Sequence, residues 1–381
     1  MNILHITPAC YPASYWGGPV FTVYALNNAL SGIPGVTVKT LTTDAAGAKV
    51  GQRLEYSQLA GLYRNQELIM QRRIAGASVS PGMLWELPAL VRWADVVHLT
   101  GIYSFPTFPV LIVCRLLGKP LVWSPHGAIQ DVYEWEGSRR KGLKRIWEIL
   151  CNALVSPGRV ALHVISEREK APTQSRLPRA SAAIVPNGVE IPAAIPERNW
   201  LPDGRLRLMY LGRLTPKKGI ENLLYAMEKL DDPNVTLAIY GTGEDGYVAS
   251  LHALAGKLGL SGKNVFFAGP VDGERKEQAF YQADVCIVPS NTECFCMVVA
   301  EALAHGVPVI ASHGTPWEAV EEKQCGLWVD NSPDSLVRAI IKMRGMALPG
   351  MGARGREWMK QNFSWSVVAR DMLRLYEKAL Q

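Results

Sequence analysis

Short β-rich runs alternate with segments of helical periodicity along the whole chain, and this alternation constrains the fold more than any other feature. In the first half NILHIT, VTVKTLTT, DVVHLTG, PLVWSPHG, VALHVIS and AAIVPNG read as strands, with periodic segments at 19–31, 85–93, 105–117 and 139–155. The second half repeats the scheme with RLMYLGR, TLAIYGT, NVFFAG, VCIVPS, PVIAS and GLWVD, and with helices near 219–230, 246–259, 297–305 and 333–347. Strand, helix, strand at this spacing builds parallel sheets covered on both faces. The run VEIPAAIPERNWLPDGR has three prolines and no periodicity, and marks a linker. The 381 residues, 48% of them hydrophobic, suffice for two doubly wound domains. These are predicted over 1–189 and 190–365. Ligands of such sheets bind beyond the carboxyl ends of the strands. Two facing sheets therefore predict a site in the cleft between them.

Several classes are disfavoured. No apolar run reaches the ~18 residues of a membrane span, and the longest candidate, FPTFPVLIVCRLLG, is broken by Arg115. The seven cysteines are odd in number and lack a C-x-x-C pair, which fits a reducing compartment better than disulfides or zinc. The opening MNILHITPAC enters a strand-like run without a basic leader, so a cytoplasmic protein is expected. No nucleic-acid partner is expected.

Residues 1–190 carry 19 Lys and Arg against 12 Asp and Glu, whereas residues 191–381 carry 21 against 22. Much of the excess lies in SRRKGLKRIWEIL, residues 138–150, with Arg139, Arg140, Lys141, Lys144 and Arg145. This segment is either a solvated helix face or a helix set against acidic headgroups, with Trp147 and the leucines as its apolar side.

Gly241-Thr242-Gly243-Glu244-Asp245-Gly246 is a literal G-x-G-x-x-G after a strand. A dinucleotide fingerprint should have an acidic residue about 20 positions on for the ribose. That window, LSGKNVFFAGP, contains none before Asp272. A nicotinamide or flavin is therefore not expected, and Gly241 is read as a tight turn that lets backbone approach a ligand.

Two other loops carry chemistry. In Leu211-Gly212-Arg213-Leu214-Thr215-Pro216-Lys217-Lys218-Gly219, Arg213 and Lys218 stand at the mouth of a parallel sheet and suit a diphosphate, as a bidentate fork and a compact point charge. In PSNTECFCMVVAEALAHGVPVIAS, Glu293 follows a strand and Glu301 lies two turns into the next helix. Carboxylates accept from vicinal hydroxyls, on a hexose for Glu293 and on a ribose for Glu301. The helix N-terminus near Cys296 and Met297 offers amides to an anion. The alternative for each is an exposed basic loop and a pair of surface glutamates.

These motifs together resemble the retaining, nucleotide-sugar-dependent glycosyltransferases of family 4, which have the GT-B fold. The resemblance rests on G-R-L-x-P-x-K-G, E-x7-E and A-x-G-V-P-V-I-A-S. Further motifs are Tyr15-Trp16-Gly17-Gly18-Pro19, Ser124-Pro125-His126-Gly127, Ser166-Glu167 and Pro186-Asn187-Gly188-Val189. It implies α/β architecture with two facing Rossmann-like domains and the active site in their cleft. Arg213, Lys218 and the Gly17–Gly18 amides would bind the diphosphate, Glu293 and His126 the sugar, and Glu301 the ribose. Val271 would meet the base through its main chain, and Cys294, Phe295, Cys296 and Met297 would line the donor. One position departs from the pattern: the family usually has glycine where Cys296 stands, which is read as a shift in donor preference.

The implied reaction moves a hexose to a glycan or lipid-linked saccharide, in exopolysaccharide or surface-glycan assembly, on a cytoplasmic enzyme that is either soluble or peripheral to the membrane. No D-x-D or metal-spaced cluster is present. Arg213, Lys218 and the helix N-terminus are therefore expected to stabilise the leaving group without a metal or other cofactor. A sugar-nucleotide epimerase and a silent sugar-nucleotide-binding protein are the alternatives. The amphipathic C-terminus, with Trp365, Val368, Met372, Leu375 and Tyr376 on one side, is expected to return to the first domain over 366–381.

Overall fold

A computed structural model describes residues 1–59, 61–129 and 141–381. Its elements run β1 (Asn2–Ile6), α1 (Gly18–Ser31), β2 (Thr37–Thr43), β3 (Glu67–Gln71), α2 (Pro81–Trp93), β4 (Val96–Thr100), α3 (Thr107–Leu116), β5 (Leu121–Ser124), α4 (Lys141–Leu154), β6 (Val160–Val164), α5 (Glu167–Arg176) and β7 (Ser181–Ile184). After the linker come β8 (Leu206–Leu211), α6 (Ile220–Leu230), β9 (Val235–Tyr240), α7 (Asp245–Lys257), β10 (Val265–Gly269), α8 (Gly273–Gln282), β11 (Val285–Val288) and α9 (Met297–Ala304). The chain ends with β12 (Val309–Ser312), α10 (Ala319–Glu322), β13 (Gly326–Val329), α11 (Pro333–Arg344), α12 (Leu348–Asn362) and α13 (Trp365–Leu380).

Two compact units result: residues 1–188 with 365–381, and residues 189–364. The first holds a parallel sheet of order β3-β2-β1-β4-β5-β6-β7, the second a parallel sheet of order β10-β9-β8-β11-β12-β13. In each sheet the strand order reverses once, between β1 and β4 and between β8 and β11. Such a switch point splays the following loops apart and leaves a crevice at the carboxyl ends.

Apolar runs explain the central strands: every residue of β4, β5, β6, β11 and β12 is buried. Edge strand β3, ELIMQ, has no fully buried residue and was not anticipated from sequence. Helix α12 was also not anticipated, because Pro349, Gly350, Gly352 and Gly355 argue against it. Packing overrides that propensity: a Cβ on Gly352 would lie 2.1 Å from the Gly306 carbonyl oxygen, and one on Gly355 2.7 Å from Leu303. The glycines let α12 close on α9.

Helix α13 buries Trp365, Val368, Ala369, Met372, Leu375 and Tyr376. They pack in one cluster with Ile3, Leu26, Leu30, Val38, Val96 and Val122 of the first unit. A Cβ on Gly188 would meet the Trp365 ring at 2.4 Å, so glycine there admits the ring.

The same sheet buries a polar chain. Tyr376 Oη and His98 Nδ1 are 2.7 Å apart, His98 Nε2 and Ser124 Oγ 2.6 Å, Ser124 Oγ and His163 Nδ1 2.6 Å, and His163 Nε2 and the Val185 carbonyl 2.8 Å. A carbonyl can only accept, so His163 donates from Nε2 and the remaining protons follow. Ser124 donates to His163, His98 to Ser124, and Tyr376 to His98, with both imidazoles neutral. His5 stacks on His98 at 4.0 Å and bridges Asn27 and Thr100.

Candidate active site

In the second unit the switch point brings the loop after β8 beside the loop after β11. Lys218 closes the first loop and pairs with Glu293 Oε1 of the second, both side chains being largely buried. Burial pushes the Lys218 ammonium down, but the charge and hydrogen bond of the Glu293 carboxylate hold it above its ordinary value. Glu293 is fixed twice more: Ser290 Oγ donates to Oε1 at 2.9 Å, and its own amide donates to the Gly314 carbonyl. Gly219 permits this approach, with φ +64° and a would-be Cβ only 2.2 Å from the Pro289 carbonyl oxygen. Arg213 is exposed at the same mouth. Ser290 was not singled out from sequence, and a serine after a strand gave no signal.

Glu301 sits in the second turn of α9, where Lys276 Nζ of α8 donates to its Oε1 at 2.7 Å. Lys276 was also missed, because α8 was not read as a helix. The first amides of α9 have no side-chain cap, which leaves them for an anion. Cys294 and Met297 are half-buried at this end. Phe295 instead turns into an aromatic cluster with Trp317 and Phe363, and its carbonyl accepts from Trp317 Nε1. Val271 lies half-buried in the loop after β10. Gly241 has a structural reason to be glycine: its amide donates to Gly269, and a Cβ would lie 1.8 Å from the Gly212 carbonyl oxygen.

Cys296, where the family pattern has glycine, is the cap residue of α9 with φ 68° and ψ 73°. An L-residue in this left-handed region costs about 1–2 kcal/mol. Burial, and then Glu293, push its thiol well above the ordinary range, so it is no nucleophile. Cys296→Gly is expected to be at least as stable as wild type, and Cys296→Val less stable by about 2 kcal/mol or more, because branching worsens the clash. Thermal melts of both variants check this. Equal loss in the two would show that thiol packing, not backbone strain, governs the position.

In the first unit, Gly17 caps α1 with φ 80°, and no side chain caps the first amides. A Cβ on Gly18 would meet nothing within 4 Å. His126, after β5, also has a positive φ, 51°. Burial, then the neighbouring His163 and His5, lower its pKa to about 3. It is a neutral hydrogen-bonding group at pH 7. Its turn is held by Glu169, a buried carboxylate missed from sequence, which accepts from the Gly127 amide at 2.5 Å and the Ile165 amide at 2.8 Å. Burial raises the Glu169 pKa. Of the basic segment, residues 138–140 lie outside the described residues, and Lys141–Leu154 form α4. Among the described residues no three of His, Cys, Asp or Glu gather as a metal-ligand set.

The profile described as Glycosyltransferase Family 4 matches residues 16–191, and that described as Glycosyl transferases group 1 matches residues 193–344. A GDP-mannose-dependent alpha-mannosyltransferase of Mycolicibacterium smegmatis is 30% identical over 239 residues, 58% of this chain and 59% of that protein. The chain spans about half the length of the curated relatives it matches. Among solved structures, sucrose-phosphate synthase from Thermosynechococcus elongatus superposes with TM-score 0.72 at 21% identity, covering 99% of this chain and 98% of that one. Anabaena HepE in complex with UDP and glucose gives 0.71 at 17% identity, covering 99% of both chains.

Proposed function

The chain belongs to the group 1, family 4 glycosyltransferases and has their GT-B fold, and on that premise we propose that it transfers a hexose from a nucleotide-diphosphate sugar to a glycan or lipid-linked saccharide with retention of configuration. The observation that carries the reading is the side-by-side placement of Lys218 and Glu293 at the β8/β11 switch point. A cation and a carboxylate held in contact can divide between the two parts of one donor, Lys218 to the diphosphate and Glu293 to the sugar hydroxyls. Arg213 and the uncapped amides of α9 add positive potential to the diphosphate. Glu301, oriented by Lys276, accepts from the ribose hydroxyls. The HepE structure is in complex with UDP and glucose, which supports a nucleotide sugar as the ligand class.

In the reaction, the bond between the anomeric carbon and the phosphate oxygen breaks as the acceptor oxygen bonds to that carbon on the same face. The acceptor's proton passes to the departing phosphate. Negative charge grows on the leaving diphosphate, and preorganised cations there act where charge develops. Neutral His126 and the uncapped amides of α1 are the hydrogen-bonding groups that this reading assigns to the donor sugar and the diphosphate. We further propose a cytoplasmic enzyme peripheral to the membrane, acting in exopolysaccharide or surface-glycan assembly. No described helix is long and apolar enough to cross a membrane.

A thermal-shift panel of UDP- and GDP-sugars tests the reading. A ligand at 100 times its Kd should stabilise the protein by about 2.7 kcal/mol, and product analysis should show transfer to an acceptor rather than an epimerised donor. A panel without any shift or nucleotide release would overturn it. Because the cations are built in, activity in excess EDTA is expected to stay within a few-fold of the untreated enzyme. Abolition with rescue by Mn²⁺ or Mg²⁺ would disprove metal independence.

A further inference from the structure

The loop after β11, which carries Glu293, is held from behind by the loop after β12, rung by rung. Ser312 Oγ donates to the Ser290 carbonyl, the Glu293 amide donates to the Gly314 carbonyl at 2.9 Å, and Trp317 Nε1 donates to the Phe295 carbonyl. Gly314 permits the close approach, since a Cβ there would lie 2.0 Å from the Ser290 carbonyl oxygen. Trp317 is buried and packs against Phe295, Trp358 and Phe363, with ring centroids 5.2, 5.7 and 5.4 Å away.

The third rung falls on a strained joint. The Phe295 carbonyl and the Cys296 amide belong to one peptide plane, and in a trans peptide the two groups point to opposite sides. With its carbonyl held on Trp317, this peptide turns the Cys296 amide away from the aromatic cluster. Cys296 stands at φ 68° and ψ 73°, a region that L-residues avoid. Turning over that one peptide changes ψ of Phe295 and φ of Cys296 together and would carry Cys296 to a negative φ. The flip would relieve the left-handed strain. It would also reverse the Cys296 amide and leave the Phe295 carbonyl, in a buried residue, without its partner.

We propose that Trp317 is a positioning residue of the nucleotide-sugar site. Its indole N–H locks the Phe295–Cys296 peptide against the flip, and so holds the Cys296 amide and the turn into α9 in the orientation that receives the diphosphate. Trp317 acts only through that peptide and touches no substrate. The inference deepens the proposed function and rests on it for the identity of the ligand.

Titration calorimetry of the full chain with UDP and with GDP tests it, on wild type, W317F, C296G, W317F/C296G and W358F. W317F keeps an aromatic ring and removes the N–H, and should weaken nucleotide binding about tenfold or more, as a buried group left unpaired commonly does. Glycine takes a positive φ without penalty, so the drive to flip is absent in the C296G background. There W317F should cost about threefold or less, the difference between backgrounds being the coupling of the two positions. W358F removes packing from the same cluster but not the hydrogen bond to the Phe295 carbonyl, and should bind within about twofold of wild type. Equal losses from W317F in the two backgrounds, or a W358F loss as large as that of W317F, would overturn the proposal and leave Trp317 a packing residue. If W317F does not fold, the double variant decides: a folded W317F/C296G supports the lock, and an unfolded one overturns it. Wild type that binds neither nucleotide would remove the proposed donor site and the role of Trp317 with it. Wild-type binding that W317F leaves unchanged would remove the role of Trp317 alone.

Discussion

Acidification from pH 7 to pH 5 is expected to destabilise the first unit by several kcal/mol. Burial lowers the pKa of His5 from 6.5 to about 4 and that of His163 likewise to about 4, and holds His98 well below its ordinary value. The folded unit thus binds fewer protons than the unfolded chain between pH 6.5 and 4. The stabilisation is full above 6.5 and is lost as pH falls toward 4. Each of His5 and His163 contributes about 2 kcal/mol of loss between pH 7 and 5, against a typical domain stability of about 5–15 kcal/mol. Glu169 works in the opposite sense, because its raised pKa makes the folded state take up a proton more readily. The hydrogen-bond chain makes the histidine losses cooperative. A proton on His163 Nδ1 would face the donating Ser124 hydroxyl, and relief requires reversing Ser124, His98 and Tyr376 together. Denaturant melts at pH 7, 6 and 5 check this, and stability that stays flat over that range would refute it. Tyr376→Phe should be destabilising at pH 7 by about 1–3 kcal/mol, since it leaves His98 Nδ1 buried without its donor.

The histidine chain also shows where sequence reading stops. His5, His98 and His163 each stand inside an apolar strand, in NILHI, VVHLT and VALHV, and a lone histidine there carries no sign of its neighbours. Only strand order, with β1, β4, β5 and β6 adjacent, makes them a network. The central strands were legible because full burial on both faces writes itself as continuous apolar runs. Edge strand β3 lacks that signature, and α12 was hidden by glycines whose use is close helix packing on α9. Two parallel-sheet domains were legible in the alternation, whereas the GT-B class was implied by the resemblance of the motifs to the family 4 glycosyltransferases. Arg213, Lys218, Glu293 and Glu301 were legible as charges at loop and helix positions that a parallel sheet brings to one end. Their partners Ser290 and Lys276 were not, nor was Glu169, which holds the His126 turn, because a partner is defined by the fold and not by its neighbours in sequence.

Lys218→Ala is expected to lower turnover by about a hundredfold or more while leaving a folded protein. In the proposed reaction Lys218 acts on the leaving diphosphate, and removing one preorganised donor to a developing oxyanion commonly costs ~10²–10³ in kcat. The substitution also strands Glu293, whose Oε1 keeps only the Ser290 hydroxyl, so some loss of stability accompanies it, about 1–3 kcal/mol. The two effects separate when K218A/E293Q is compared with E293Q alone. If Lys218 served only to neutralise Glu293, the two would turn over equally. If Lys218 acts on the donor, the double variant regains stability but turns over well below E293Q. Glu301→Ala should differ in kind, raising KM through loss of the proposed ribose contact with a smaller change in kcat, because the ribose does not change charge in the reaction. Steady-state kinetics and melts of the four variants measure this directly. Wild-type kinetics in both Lys218→Ala and Glu301→Ala would remove the donor site from the β8/β11 switch point.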